Sequence, residues 1–171
     1  MANIIFDLDG TVICSKHRQL TDASGSLDLA HWREHCTREK IFGDKLLPLA
    51  NVMRRYYAEG HNIIVCTSRI VTTHDMDFFA LNGLRFHHFI SRAENDNRSD
   101  ADYKRERLND WAVTQGKTCI GDFNAICFDD NLSVIQELQR NKVICFDATS
   151  YNRNLSRGKA IPSRLLFEMK V

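Results

Sequence analysis

The chain has 171 residues, 43% apolar and 26% charged. These are the proportions of one ordinary globular domain, and they exclude a disordered or fibrous chain. Its 23 Lys and Arg against 22 Asp and Glu give a net charge of +1, which excludes a basic nucleic-acid coat and an acidic tail protein. The balance is uneven, because residues 150–171 carry five bases and one acid, and residues 1–149 carry 18 bases and 21 acids. No run of about 18 apolar residues suggests a membrane span. The start, Met1 to Asp7, lacks the basic region of a signal peptide. Six cysteines without a C-x-x-C pair read as free thiols in a reducing cytoplasm.

In chain order, five short apolar runs read as strands: Ile4-Ile5-Phe6, Ile63-Ile64-Val65-Cys66, a weaker run over 86–90, Ile126-Cys127-Phe128 and Val143-Ile144-Cys145-Phe146. They are β-branched or aromatic and do not alternate, which suits strands buried on both faces of a parallel sheet. Between them lie amphipathic stretches. Leu46, Leu49, Ala50, Met53 and Tyr57 share one helix face that ends at Gly60. Further helices are predicted over 73–82, over 100–115 and after Asn131. Strand and helix alternating over the whole chain predict one α/β domain over 1–149, a single doubly wound parallel sheet, followed by a basic tail over 150–171.

Residues 12–43 break the alternation with a polar turn over 21–26 and a short helix over 27–36. So long a connection is unusual, and it sits where open α/β sheets bind ligands. It reads as a small flap over a site or as a structural loop.

The motif Asp7-Leu8-Asp9-Gly10-Thr11 follows the first strand directly. Acids at i and i+2 share one side of an extended strand, and two adjacent carboxylates raise one pKa sharply unless a cation lies between them. The pair points to a divalent metal, or to a nucleophile beside an acid–base group; alone, it also fits a calcium-loop fragment or a polar turn. Gly10 permits a tight turn. The second strand ends Cys66-Thr67-Ser68-Arg69, a hydroxyl and a guanidinium suited to phosphate oxygens. The fourth ends Phe128-Asp129-Asp130-Asn131, a second acidic pair that could also cap a helix. Four acids converging on one sheet edge favour Mg²⁺. His31 and His35, with Cys36 beside them, have a zinc-like spacing but lack a fourth ligand, and His87-His88 reads as structural. Trp32, Tyr56, Tyr57, Phe78 and Phe79 read as packing residues rather than a base-stacking platform.

In this order, D-x-D-G-T, a strand-end Thr, a Lys and D-D resemble the haloacid dehalogenase superfamily of phosphotransferases over about residues 3–147. Within it, the run from Arg92 through Asp96, Arg98 and Asp100 to Lys104 resembles the R-x-x-x-D-x-R-x-D-x-x-x-K stretch of the 3′-phosphatase domain of phage polynucleotide kinase. Ser68 stands where that family has Gly, Asn131 where it has Arg, and no kinase phosphate loop occurs. The resemblance implies Asp7 as a nucleophile forming an aspartyl-phosphate and Asp9 as acid, then base. It implies Mg²⁺ held by Asp7, the Asp9 backbone carbonyl, Asp129 and Asp130, with Thr67 and Lys104 gripping the transferring oxygens. Gly10, Thr11, Ser68 and Arg69 are expected around the substrate. Arg92 and Arg98 read as ligands of a second phosphate or as surface ion pairs. His17 and Arg18 in the flap touch the sugar or base, or merely cover the site.

The function expected is a Mg²⁺-dependent phosphomonoesterase acting on nucleotides or nucleic-acid ends. A polynucleotide 3′-phosphatase comes first, because a small flap leaves room for a polymer end. A nucleotidase acting on nucleoside monophosphates is the alternative. A receiver-type phosphoacceptor lacks the base that Asp9 supplies, and a silent nucleic-acid binder does not need the full acid set. The partner expected is a phosphorylated nucleotide or nucleic-acid 3′ end, with the tail guiding a strand or meeting a second subunit. The location expected is the cytoplasm, including that of a phage host.

Overall fold

Strands rich in Ile, Val and Phe bury both faces, and here they form the middle of one sheet. In chain order the elements are β1 (Asn3–Phe6), β2 (Ile13–Cys14), α1 (Leu29–Glu34), α2 (Arg38–Phe42), β3 (Lys45–Leu46), α3 (Leu49–Ala58), β4 (Asn62–Thr67), α4 (Thr73–Leu81), β5 (His88–Ser91), α5 (Asp100–Thr114), β6 (Ile126–Asp129), α6 (Leu132–Arg140), β7 (Ile144–Asp147) and α7 (Ala148–Ser156). The computed structural model describes residues 1–21 and 28–159. Most of the polar turn expected over 21–26, and residues 160–171 of the basic tail, lie outside the described residues.

Five parallel strands run in the order β5-β4-β1-β6-β7, and they are the five apolar runs. Ile4, Phe6, Ile63, Val65, Ile126 and Phe128 pack with residues of α3, α4 and α7. Ile5, Ile64, Cys66 and Cys127 pack with residues of α5 and α6. Helices therefore cover both faces, and each fully buried aliphatic side chain adds roughly 1.5–3 kcal/mol. β7 departs from the expectation of burial on both sides. It is an edge strand with Ile144 exposed by 40%.

The insertion is tied at its base. β2 and β3 pair antiparallel, Ile13 opposite Leu46 and Cys14 opposite Lys45. Leu46, expected on the α3 face, thus belongs to a strand, and Pro48 precedes the helix, where its missing amide costs nothing. The helix expected over 27–36 is α1, capped by the Asp28 carboxylate on the His31 amide at 3.0 Å. α2, capped by Thr37, was not expected, because its five residues hold only Ile41 and Phe42 as apolar groups.

The expected boundary at 149 falls inside α7. Asp147 caps that helix through the Thr149 amide at 2.9 Å. The Tyr151 ring packs 5.3 Å from Phe128 and 5.2 Å from Phe146. Residues 150–156 are thus packed on the sheet rather than trailing from it. Their Ser and Asn content hides the helix from propensity arguments. His31 and His35 stack on each other at 3.8 Å. All six cysteines are unpaired. No described helix is long and apolar enough to cross a membrane.

Candidate active site

The strand order reverses between β1 and β6, so the crevice of the sheet opens beyond their carboxyl ends. The Asp7 amide is pinned to the Phe128 carbonyl at 3.0 Å. The chain then folds on itself. The amides of Thr11, Val12 and Ile13 all donate to the Leu8 carbonyl (3.1, 2.9 and 3.0 Å), and Gly10 donates to Ile13 at 2.8 Å. Gly10 has φ +77°, and a Cβ there would lie 1.9 Å from Asp130 Oδ2. Glycine is needed both for the left-handed turn and for the close approach of Asp130.

Asp7, Asp129 and Asp130 offer oxygens all within 4.8 Å of one another. Among them reaches Lys104 from α5, buried, its Nζ 2.7 Å from Asp7 Oδ1 and 2.7 Å from Asp129 Oδ2. Burial raises the Asp7 pKa well above the ordinary carboxylate value against the pull of Lys104, and the charges of Asp129 and Asp130 add to the rise. Burial alone would lower Lys104, but Asp129 and Asp7 outweigh it and hold the ammonium charged. Partial withdrawal from water, then the Asp129 charge, push Asp130 up to about 6. Three carboxylates sharing one ammonium leave negative charge in excess on an all-oxygen donor set. That set fits a hard divalent cation such as Mg²⁺.

The Asp9 side chain turns away from this cluster. Its Oδ1 accepts from Ser15 Oγ, and Arg69 Nη1 lies 3.4 Å from the same oxygen. Gln19 donates in turn to Ser15 Oγ at 3.0 Å. Burial raises the Asp9 pKa, and the Ser15 hydrogen bond opposes the rise.

The other expected residues divide. Thr67 is buried at the end of β4 and lines the cleft, its Oγ1 accepting from the Arg69 amide at 3.2 Å. Ser68 also lines it, with a buried Oγ that has no partner among the described residues. Thr11 is buried, Oγ1 3.4 Å from Asp7 Oδ2. Arg69 faces the cleft but is held by Asp44 and Asp75 as well as Asp9. Arg92 spends its guanidinium on the carbonyls of Ser68, Asp96 and Arg98 and on Asp100 at 2.8 Å. Arg98 spends its own on Asp96 and Glu106. Both are stacked over Tyr103. Asn131 caps α6 through the Ser133 amide at 3.0 Å.

His17 and Arg18 do not line the cleft, so of the two expectations the geometry favours covering the site over contact with sugar or base. Arg18 is 1% exposed, with Nε and Nη2 each 2.8 Å from the Asp44 carboxylate and its guanidinium 4.1 Å over Trp32. The His17 ring accompanies it, 3.7 Å from Asp44 and 3.0 Å from the Lys40 carbonyl. An uncompensated guanidinium cannot be buried this deeply, so the pair clasps the flap together. Trp32 packs between Arg18 and Arg69 and also borders the cleft.

The cleft measures about 790 Å³, within the range of small-molecule sites. Beside its polar end lie Cys14, Trp32, Leu47 and Ile70. Ser15, Asp44, Asp75 and Asn152 were missed in the sequence. Asp75 carries a local signal, its capping box with Thr72, but nothing local marks its approach to Arg69. The partners of Asp44 and Asn152 lie on distant segments, as with Arg18 and Asp44, 26 residues apart.

Residues 1–169 match the family model described as bacteriophage T5 5′-deoxynucleotidase. A 5′-deoxynucleotidase of Escherichia phage T5 is 38% identical over 86 residues, 48% of this chain and 35% of that protein. The match thus spans about a third of the curated relative's length. Among solved structures, a chain of the Pnkp1/Rnl/Hen1 complex superimposes with a TM-score of 0.62 at 21% identity, covering 85% of this chain and 45% of that one. A haloacid dehalogenase-like hydrolase from Streptococcus pneumoniae superimposes with a TM-score of 0.63 at 12% identity, covering 90% and 91%. The fold is therefore that of the haloacid dehalogenase-like hydrolases, and the chain belongs to the bacteriophage T5 5′-deoxynucleotidase family.

Proposed function

We propose that this chain is a Mg²⁺-dependent phosphomonoesterase that removes the 5′-phosphate from deoxynucleoside monophosphates. The observation that carries the reading is the cluster of Asp7, Asp129 and Asp130 around the single buried Lys104 at the switch point of the sheet. The family match over 1–169 moves the nucleotidase ahead of the polynucleotide 3′-phosphatase. The cleft also suits this order, because the flap helix α1 brings Trp32 and Arg33 to its border, where a small substrate would be enclosed.

Asp7 attacks phosphorus, forming a carboxylate-oxygen–phosphorus bond as the bond to the 5′ oxygen breaks, and Asp9 gives that oxygen its proton. Asp9 then takes a proton from water, which attacks phosphorus, frees Asp7 and releases inorganic phosphate. Thr67 and Lys104 hold the phosphoryl oxygens, with Lys104 stabilising charge in a water-poor setting. Asp7, Asp129, Asp130 and the Asp9 carbonyl would hold Mg²⁺, which offsets the repulsion between a carboxylate and a phosphate dianion. The test is phosphate release with Mg²⁺ from deoxynucleoside 5′-monophosphates, ribonucleoside 5′-monophosphates, nucleoside 3′-monophosphates and 3′-phosphorylated oligonucleotides. Release is expected from the first group. Release from the oligonucleotide alone would restore the polynucleotide reading, and inactivity on all of them would sink both.

A further inference from the structure

The turn that carries Asp9 is gripped from outside by α7, and we propose that Asn152 is a positioning residue for the reaction, holding Gly10 and Thr11 in place against the acid cluster. The inference rests on the reading of Asp7 and Asp9 as the reacting groups. Within the turn, the amides of Gly10, Thr11, Val12 and Ile13 are satisfied by its own carbonyls. The outward carbonyls are served by one side chain. Asn152 Nδ2 donates to the Thr11 carbonyl at 2.9 Å and to the Gly10 carbonyl at 3.5 Å. Thr11 is fully buried, so without that donor its carbonyl would stay unpaired away from water.

Asn152 also works in the other direction. Its Oδ1 accepts from the Leu49 amide at 2.9 Å, at the start of α3, where Pro48 provides no side-chain cap. One amide therefore joins the catalytic turn, α3 and α7, segments 103 and 141 residues apart in sequence. It is 8% exposed and borders the cleft. On the other side of the turn the Asp130 carboxylate packs against Gly10. The turn is pinched between Asp130 and Asn152, and releasing one jaw lets the Asp9–Gly10 backbone drift from the acids it must face. A side-chain amide suits the post because it donates and accepts at once. A carboxylate there would keep the Leu49 bond but set negative charge against two carbonyl oxygens.

The experiment compares Asn152→Asp and Asn152→Ala with the parent chain, using whichever nucleoside monophosphate is turned over, with saturating Mg²⁺, and reads kcat, KM and melting temperature. Asn152→Asp is expected to melt a few degrees below the parent, since the α3 bond survives while the Thr11 carbonyl loses its donor, and to lose about 10- to 100-fold in kcat with little change in KM, the scale of a small misplacement of reacting groups. Asn152→Ala is expected to lose kcat similarly and to melt lower. An unchanged kcat per folded molecule in Asn152→Asp would overturn the proposal, as would a rise in KM alone. Should Asn152→Asp fold poorly, kcat of Asn152→Ala below its melting midpoint decides by the same criterion. Asp7→Asn runs alongside. If it stays active, the reading of the site has failed. If it is dead while Asn152→Asp turns over normally, only the positioning role has failed.

Discussion

Two clusters of charge, both largely buried, lie a few residues apart, and they are built on opposite principles. At the ends of β1 and β6, Asp7, Asp129 and Asp130 share the single cation Lys104. Beneath the flap, Asp44 and Asp75 meet Arg18 and Arg69, with Asp9 at the border between the clusters. The second set is nearly balanced and closed on itself, which is the condition for burying charge as structure. The first is short of positive charge and opens on a cleft, which marks a site prepared for a cation and an incoming anion. Perturbed carboxylates occur in both clusters, so shifted pKa values alone would not tell them apart. Charge balance and access do.

The largest effect that can test this contrast comes from Asp7→Asn. Turnover should fall by at least about 10⁴-fold, with the melting temperature unchanged or raised, since one of three crowded carboxylates loses its charge. Phosphate-release assays and thermal melts read the two quantities, and retained turnover would remove Asp7 as nucleophile. Next, Lys104→Met should lower kcat by about 100- to 1,000-fold and leave Asp7 and Asp129 facing each other unscreened.

On the closed side the response should be in folding. Arg18→Ala strands a buried Asp44 and should cost about 3–5 kcal/mol in denaturant unfolding, with kcat per folded molecule largely kept. A selective loss of kcat there would erase the distinction between the clusters. A pH series tests the open side without mutation. Burial holds Asp7 and Asp9 above their ordinary values, and Asp130 stands at about 6. The folded state thus binds more protons than the unfolded one between about pH 4 and 6. In EDTA, stability from these groups is present at the low end of that window and is lost as pH rises through it. Mg²⁺ competes with those protons, so its stabilising shift in a thermal melt should be larger near pH 7.5 than near pH 5. An equal shift at both would contradict the carboxylate site. The smallest effect is expected from Arg98→Ala, whose guanidinium lies on Asp96 and Glu106 at the surface. KM should change by less than about twofold, and a large rise would return Arg98 to the substrate.

The flap and the tail show where sequence reading stopped. The insertion was legible as an interruption, and α1 as a helix, because Asp28 and the apolar spacing are local signals. The ribbon of β2 and β3 was not, since two-residue strands carry no periodicity. α7 reads as tail in the sequence because it follows the last apolar run and its bases stand out, although Tyr151 lies on the Phe128 and Phe146 rings.

What the sequence determined by itself is the part governed by short-range pattern: five strands, the acids at their ends, the glycine of the tight turn, and the lysine on α5. Short continuous apolar runs and i, i+2 spacing need no knowledge of distant segments. The tertiary structure alone decided which charges pair with which. Arg18 became a clasp because Asp44 came to it, Arg92 and Arg98 at the border of the cleft were taken up by Asp100 and by Asp96, and Asn152 reached a turn 141 residues away. A buried donor or charge is worth what its partner makes it, and partners are chosen by the fold.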